Sequence, residues 1–510
     1  MAIDSKRIAK NTIFLYARLF LVLCVSLFTS RVILDKLGVD DYGLYNVVNS
    51  VIGLLSFLNA TLGSGTSRFI TFALGKNDKE YLKYTFSTAL CTHYFLAAII
   101  FILGETLGVW YVYNVMVCPP ERFFAAFIVY QISIVGTMAS IIQVPFTSEI
   151  MAHEKMDIYA YIGIYEAIAR LVVVYLLIRS PFDKLIYLAA LNLLVNLSVI
   201  TFYIFFSRKK FEEVRFKPRF NKVIFKEILN FSGWNIIANV SNMLMRQGII
   251  MLFNLFFLPV VVAAQAISNQ ISNALMNFVT NVRQAINPQV IKSYADGRFD
   301  DSKRLTFFSA EYIFYLLLLI GVPCIMVLPT LMDIWLVDVP DYAVAFARLI
   351  IVQDILGNFS AALYVPMVAA NKIRKNSIAS MLLCIFQFVL LFVLFKFGCG
   401  PLWARYLGII SIVLFGFVVK PYILWKDVNY SLREIYACLW QCLKVLITVI
   451  VLCVGIYILI PQSSLGNSVV VLLLSIVVVL LSEALFMKKN MRQRLLLYVK
   501  NCFKIKNNRI

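Results

Sequence analysis

The sequence predicts an all-α integral membrane protein of about 14 transmembrane helices, and three observations carry that prediction. First, 61% of the 510 residues are hydrophobic and only 15% are charged. A soluble domain has roughly 45–50% apolar and about 25% charged residues. Second, the apolar residues fall in runs long enough to span a bilayer, which takes roughly 17–25 residues per helix. Third, the connections between runs are short and offer no extramembrane domain that could house chemistry. Several runs also carry Asn, Gln and Arg at helical spacing. Such groups are costly inside a bilayer and usually face a bundle interior or a water-filled cavity. The pattern therefore points to a polar path through the membrane, in a chain that moves something across it.

The predicted spans are 11–34, 43–72, 86–112, 123–150, 158–178, 185–206, 229–257, 260–289, 306–330, 342–370, 376–396, 402–425, 434–460 and 467–487. The first run begins near Asn11, contains Arg18 and is followed by no small-residue cleavage site, so it reads as an uncleaved span rather than a signal peptide. An even number of spans places both termini on one side. Lys and Arg crowd the loops on that side, most densely in Arg208–Lys226 (RKKFEEVRFKPRFNKVIFK) and in the tail from Lys488. Lys36, Arg122, Arg179, Lys184, Lys396 and Arg405 fall on the other side. The termini are thus expected to be cytoplasmic. The linker reads as a topology anchor at the headgroups, with recognition of an anionic lipid as the sharper alternative. Because the basic residues sit in short loops and at the ends, the net charge of +20 is no nucleic-acid signature. The ten Cys lie mostly in apolar segments and read as small buried hydrophobes. Cys438 and Cys442 share a helix face. With only His93 and His153 present, no His-based metal centre and no cofactor are expected.

The chain repeats itself at an offset of about 221 residues. Gly75-Lys76-Asn77-Asp78 recurs as Gly297-Arg298-Phe299-Asp300, Asn59 as Asn281, and Val144-Pro145 as Val365-Pro366. A unit of six spans enters the membrane in the same direction each time, which is the parallel type of transporter repeat. The reading gives an N-lobe at 1–206, a basic linker at 207–227, a C-lobe at 228–426, two additional spans at 427–487 and a basic tail at 488–510.

The polar stripes occupy the first two spans of each repeat. Span one offers Asn11 and Arg18. Span two carries Asn46, Asn49, Gly53, Ser56, Ala60, Gly63 and Ser67, and ends near Arg68. Span seven has Asn235, Asn239, Asn242 and Arg246. In span eight one face holds Asn269, Ser272, Thr280, Arg283 and Asn287, and the next holds Gln270, Asn273, Asn277, Asn281 and Gln284. Small residues and Asn also serve plain interhelical packing, but the constellation as a whole reads as the lining of a cavity. Gly63-Ser64-Gly65 lacks the Gly-Lys-Ser/Thr ending of a phosphate loop and is read instead as a flexible or closely packed point. Arg18, Arg68, Arg246 and Arg283 lie in the striped spans, whereas the acidic Glu105, Glu149, Glu166, Glu311, Asp354 and Glu483 lie elsewhere. A net cationic cavity follows. The planar fork of Arg suits phosphate, so the expected cargo is anionic, with phosphate or pyrophosphate on the Arg cluster. Asn46, Asn49, Asn235, Asn239, Asn242, Asn269, Asn273 and Asn277 would then face sugar hydroxyls. Glu149 and Asp354 are candidates for ion coupling; lone carboxylates equally serve as structural partners of Arg or backbone.

The stretches Thr29-Ser30-Arg31-Val32-Ile33-Leu34, Leu37-Gly38-Val39-Asp40-Asp41-Tyr42-Gly43-Leu44-Tyr45-Asn46-Val47-Val48 and Ser67-Arg68-Phe69-Ile70-Thr71-Phe72-Ala73-Leu74-Gly75 resemble bacterial Wzx-type polysaccharide (O-antigen) flippases. Those belong to the multidrug/oligosaccharidyl-lipid/polysaccharide (MOP) exporter superfamily, with the lipid II flippases and drug antiporters. The resemblance implies two six-helix lobes in a V around a central cavity. It also implies alternating access that turns undecaprenyl-pyrophosphate-linked oligosaccharide from the cytoplasmic to the periplasmic leaflet of the bacterial inner membrane, for O-antigen, capsule or exopolysaccharide. Membrane lipids and polysaccharide polymerase or assembly proteins are the implied partners. In lipid II flippases cationic residues on the first, second and eighth helices contact pyrophosphate; Arg18, Arg68 and Arg283 lie on those helices here. In those relatives the last two helices help form a lipid groove. A multidrug cation antiporter of the same superfamily is the first rival and should place carboxylates in the cavity. A membrane glycan polymerase or ligase is the second, and would need a sizeable outer loop with catalytic residues. A purely structural membrane partner would leave the stripes unexplained.

Overall fold

The computed structural model describes residues 5–55, 63, 66–67, 69–74, 78–153, 155–214, 222, 243–460 and 464–486, with side chains except at 5–20, 55, 156, 281 and 284–285. The described chain is helical, without strands. Its elements are α1 (Ser5–Leu55), α2 (Lys79–Asn114), α3 (Pro120–Ala152), α4 (Met156–Arg179), α5 (Lys184–Lys210), α6 (Leu244–Phe256), α7 (Pro259–Ala295) and α8 (Phe299–Met326). They continue with the short α9 (Leu328–Trp335), then α10 (Ala343–Ala369), α11 (Arg374–Lys396), α12 (Trp403–Val428), α13 (Leu432–Leu459) and α14 (Leu465–Phe486). Ten of the described helices, α2–α5, α8 and α10–α14, are long and apolar enough to cross a membrane. The helices α1 and α7 carry the polar stripes. Predicted spans one and two run together as the two arms of α1, which meet at Gly38 with φ 78°. That left-handed backbone is open to glycine at no steric cost.

Packing divides the chain into two compact units. One comprises Met1–Ala266, Leu336–Ala343 and Ser380–Pro401; the other comprises Ile267–Trp335, Val344–Ala379 and Leu402–Ile510.

In the first unit α3 packs against α2 and α5, and α4 against α1. Phe86 of α2 meets Phe146 of α3 edge-on at 5.6 Å, within a core that also buries Ile70, Ile150, Tyr203 and Val214. Both ends of α3 are pinned. At one end Arg122 donates from Nε to Asp41 Oδ1 at 2.9 Å and from Nη1 to Asp183 Oδ2 at 2.5 Å, joining α1, α3 and the start of α5. Asp183 is also the N-cap of α5, accepting from the Leu185 and Ile186 amides at 3.0 and 3.1 Å. Burial pushes the Asp183 carboxyl up, but Arg122 and the two amides outweigh it and hold the group below the usual range. At the other end His153 Nε2 lies 3.2 Å from Glu149 Oε1 and 2.7 Å from Glu213 Oε1, on the single turn Glu212–Val214 after α5.

Three π turns interrupt the described helices, at Gly104–Gly108, Leu244–Gly248 and Phe415–Val419. A π turn holds one extra residue and shifts the register of the helix beyond it. The first has a visible cause. The hydroxyl of Tyr130, on α3, donates to the Gly104 carbonyl at 2.7 Å, and a Cβ on Gly108 would collide with that same oxygen. In the second unit Ser360 presses on Gly416 in the same way, its Cβ 2.5 Å from where a glycine Cβ would be.

The non-helical link between α2 and α3 is closed by a side chain. Asn254 of α6 accepts from the Val117 amide and donates to the Val117 carbonyl, both at 2.9 Å, as a strand partner would.

Gly108→Ala is expected to destabilise the protein by about 1–3 kcal/mol through overpacking. Adding Tyr130→Phe, which deletes the clashing oxygen, should recover part of that loss. Thermal unfolding of the single and double variants in detergent checks this; an additive result would remove Tyr130 as the origin of the π turn.

Candidate functional site

Within the first unit lies a cavity of about 700 Å³ between α1, α3, α4 and α5. That volume is in the range of sites for small organic ligands. Its wall on α3 is formed by Ser133, Gly136, Thr137, Ser140, Gln143 and Thr147. Ser133, Thr137, Ser140, Gln143 and Thr147 follow one another by threes and fours and so share one face of the helix, with Gly136 beside Thr137. Asn192 and Asn196 of α5, four apart, stand opposite, with Asn49 of α1. Asn196 Nδ2 donates to the Gly136 carbonyl and to Ser140 Oγ, both at 3.0 Å, and Asn192 reaches the Tyr45 hydroxyl at 3.4 Å. The charged lining residues are Glu166 and Arg170, joined at 2.8 Å on α4. Among the described residues the wall is therefore polar but close to neutral: it offers hydroxyls and amides, the chemistry of hydrogen-bonding to an uncharged, hydroxyl-rich ligand.

The second unit holds three cationic side chains, Arg283 of α7 and Arg405 and Lys420 of α12, bonded to residues of α7 and α10. Arg283 donates from Nη2 to the Asn358 carbonyl at 3.3 Å and to Asn358 Oδ1. Arg405, 8% exposed, donates to Gln353 Oε1 at 3.2 Å and to Asn269 Oδ1 at 3.3 Å. Lys420, 7% exposed, donates to the Ser360 carbonyl at 2.8 Å. Asp354 accepts from Ser272 Oγ at 2.6 Å. The Nε atoms of Arg283 and Arg405 are buried with no hydrogen-bond partner among the described residues. Lys420 stands directly after the π turn of α12, whose Gly416 lets Ser360 approach. Among the described residues, Arg283 and Lys420 thus bond to neighbouring positions of α10, while Arg405 bonds to Asn269, fourteen residues or about 21 Å along α7 from Arg283, and the donors of both guanidinium groups are not fully used. Isolated charges in such surroundings are costly, and the arrangement favours an anion.

Of the predicted binding residues, Asn269 bonds Arg405, Arg283 bonds Asn358, and the coupling candidate Asp354 accepts from Ser272. Asn273 and Asn277, on the neighbouring face of α7, are exposed. The two polar faces of the helix therefore do different work. Asn46 and Asn49 each donate to a carbonyl four residues back, Tyr42 at 2.7 Å and Tyr45 at 2.9 Å, and Asn49 also lines the first cavity. Arg246 is exposed on the second π turn. The side chain of Arg18, and Arg68, Asn235, Asn239 and Asn242 altogether, lie outside the described residues. Glu149 is not a lone carboxylate but bonds His153.

Sequence reasoning missed Arg405, Lys420 and the α3 stripe. Arg405 counts by position among the outer-side cations, yet it sits in the first turn of α12 and is buried. The α3 stripe carries the same three-and-four signal as span eight, but in Ser, Thr and Gly.

No protein-family model matches the chain, and no curated protein matches it by sequence. Solved structures do match it in fold. An inward-facing multidrug-resistance MATE family transporter of the MOP superfamily superposes with a TM-score of 0.67 at 14% identity, over 81% of this chain and 96% of that one. The lipid II flippase MurJ in an inward closed conformation gives 0.69 at 12% identity, over 94% and 98%. The MATE multidrug transporter DinF-BH gives 0.64 at 17% identity, over 84% and 96%. With ten described helices long and apolar enough to cross a membrane, the fold is that of a polytopic membrane protein. More narrowly, it is the fold shared by the MOP-superfamily transporters and the lipid II flippase, as the resemblance leads one to expect.

Two experiments test the sites separately. Thr137→Trp, which fills the first cavity, is expected to lower transport by at least about tenfold, equivalent to 1.4 kcal/mol, without a matching loss of thermal stability; unimpaired transport would exclude the cavity from the path. Asp354→Asn is expected to destabilise the second unit, and Arg405→Gln in the same chain should relieve it, with a coupling of about 0.5–3 kcal/mol in a double-mutant cycle.

Proposed function

We propose that this chain is a Wzx-type flippase. It carries undecaprenyl-pyrophosphate-linked oligosaccharide from the cytoplasmic to the periplasmic leaflet of a bacterial inner membrane by alternating access, for the assembly of a surface polysaccharide. The observation that carries the reading is the positive charge inside the second unit: Arg283 and Lys420 bonded to Asn358 and Ser360, Arg405 bonded to Asn269 and Gln353, and two guanidinium Nε atoms left without acceptors among the described residues. Pyrophosphate supplies both the charge and the oxygens that such donors lack. The near-neutral cavity of the first unit, with Asn49, Asn192 and Asn196, suits the hydroxyls of a glycan. The similarity in fold to a lipid II flippase, covering 94% of this chain, supports a lipid-linked cargo. Cytoplasmic termini follow from the distribution of Lys and Arg in the loops. Polymerase or assembly proteins of the same pathway are natural partners.

A multidrug cation antiporter is the competing reading, because MATE transporters share the fold. Charge separates the two, since a cationic drug calls for unpaired carboxylates where this chain gathers Arg and Lys.

Native mass spectrometry of the purified protein in nanodiscs decides between them, with undecaprenyl-pyrophosphate bearing a short glycan, undecaprenol and a lipophilic cation offered side by side. The expected result is selective retention of the pyrophosphate lipid, weakened about tenfold or more by Arg283→Ala, as for loss of a charge-assisted hydrogen bond. Preference for the lipophilic cation would overturn the flippase reading.

A further inference from the structure

We propose that Glu149, His153 and Glu213 form a binding site for a divalent transition-metal ion of the zinc class, which ties the segment after α5 to the end of α3. Each of the three offers one ligand atom, and these atoms lie within 4.8 Å of one another. In a tetrahedral site with bonds of about 2.0–2.2 Å, ligand atoms stand about 3.3–3.6 Å apart. A closing movement of about an ångström would therefore complete the site, with water in the fourth position. The His153 Nε2 already faces both carboxylates, at 3.2 and 2.7 Å.

A second, independent observation is an unused ligand. Glu149 is 0% exposed, and its Oε2 has no hydrogen-bond partner among the described residues. A buried carboxylate oxygen left without a donor is expensive, and a metal ion would satisfy it. The ligands are also held in place. Glu149 and His153 are four apart at the end of α3, so they share a face. The imidazole of His153 stacks on the Phe211 ring at 4.2 Å with the planes 12° apart, which fixes its direction. Glu213 sits on the Glu212–Val214 turn, anchored by the buried Val214. Orientation of metal-binding imidazoles by a second layer of contacts is a general feature of such sites.

The donor set selects the ion. One imidazole nitrogen and two carboxylates suit zinc and neighbouring first-row metals better than the oxygen-seeking magnesium or calcium. Two carboxylates neutralise a divalent charge. His153 and Glu213 are partly exposed, at 24% and 13%, which leaves a route of entry. The competing occupant is the proton of a charged His153, which would make the cluster an ion pair and nothing more.

The test is zinc retention by the full-length protein, purified in detergent, stripped with a chelator, then incubated with zinc chloride and desalted, with metal measured by plasma mass spectrometry and affinity by calorimetry. The expected result is one zinc per chain, with affinity lowered at least about tenfold in Glu213→Gln and in His153→Gln, and less in Phe211→Leu, in line with the range seen for disturbed metal sites. Size-exclusion profiles and the unfolding temperature without metal establish that the variants fold. Zinc should raise the unfolding temperature of the parent chain but not of Glu213→Gln. Retention of no zinc, or equal retention in folded variants as adventitious thiol binding would give, overturns the proposal and leaves an ion pair. No glycan or transport assay enters the test, so its outcome is independent of the flippase reading.

Discussion

A polar group carried into the hydrocarbon layer finds no water there, so it must find its partner in protein. Much of the described structure follows from that constraint. Asn46 and Asn49 fold back onto carbonyls of their own helix, and so do Thr92 on Thr88 and Thr137 on Ser133. Where the backbone leaves the helix between α2 and α3, Asn254 supplies the missing donor and acceptor together. Where a helix takes an extra residue at Gly104–Gly108, the Tyr130 hydroxyl adds a second bond to the Gly104 carbonyl, which also accepts from the Val109 amide. Lys420 donates to the Ser360 carbonyl. The helices are thus joined by a small number of directed bonds as well as by close packing, which in lipid must stand in for much of the hydrophobic drive.

The same constraint explains the division of chemistry. The first unit encloses space lined by groups that exchange hydrogen bonds without net charge. The second holds Arg283, Arg405 and Lys420 on polar partners, with Asp354 bonded to Ser272. The two surfaces suit different ligands: one offers many weak donors and acceptors, the other can replace lost hydration around negative charge. The ends of α3 belong to neither. They are held by Arg122 between two aspartates and by His153 between two glutamates, and these two pairings fix the helix that carries most of the first cavity's wall.

Most of the architecture was legible in the sequence because burial in lipid demands long apolar runs, and those are visible without any knowledge of packing. Spans three to six and nine to fourteen correspond to described helices, and the stripe on span eight sets Asn269 and Arg283 on one face of α7. What could not be read was long-range. Arg405 meets Asn269 across 136 residues and Gln353 across 52; His153 meets Glu213 across 60. Nothing in the spacing of either residue indicates its partner. Lys420 escapes for another reason: it stands just past a π turn, so a straight helical wheel assigns it to the wrong face. The stripe of Ser133, Thr137, Ser140, Gln143 and Thr147 was legible in principle, but small hydroxyl residues are common in membrane helices as packing residues, and their periodicity stands out less than that of Asn or Arg.

The contact of Tyr130 with Gly104 and Gly108 has a consequence for how such a chain can vary over time. Position 108 can hold no side chain while a phenol stands beside it, and position 130 can hold a phenol only while 108 has no Cβ in its way. The two positions behave as a single inherited character written in two places. Drift at either one passes through an intermediate in which α2 either carries a clash or loses the bond that Tyr130 gives the Gly104 carbonyl. Lineages that keep the extra residue in α2 are therefore expected to keep both partners, and those that lose one to lose the turn with it.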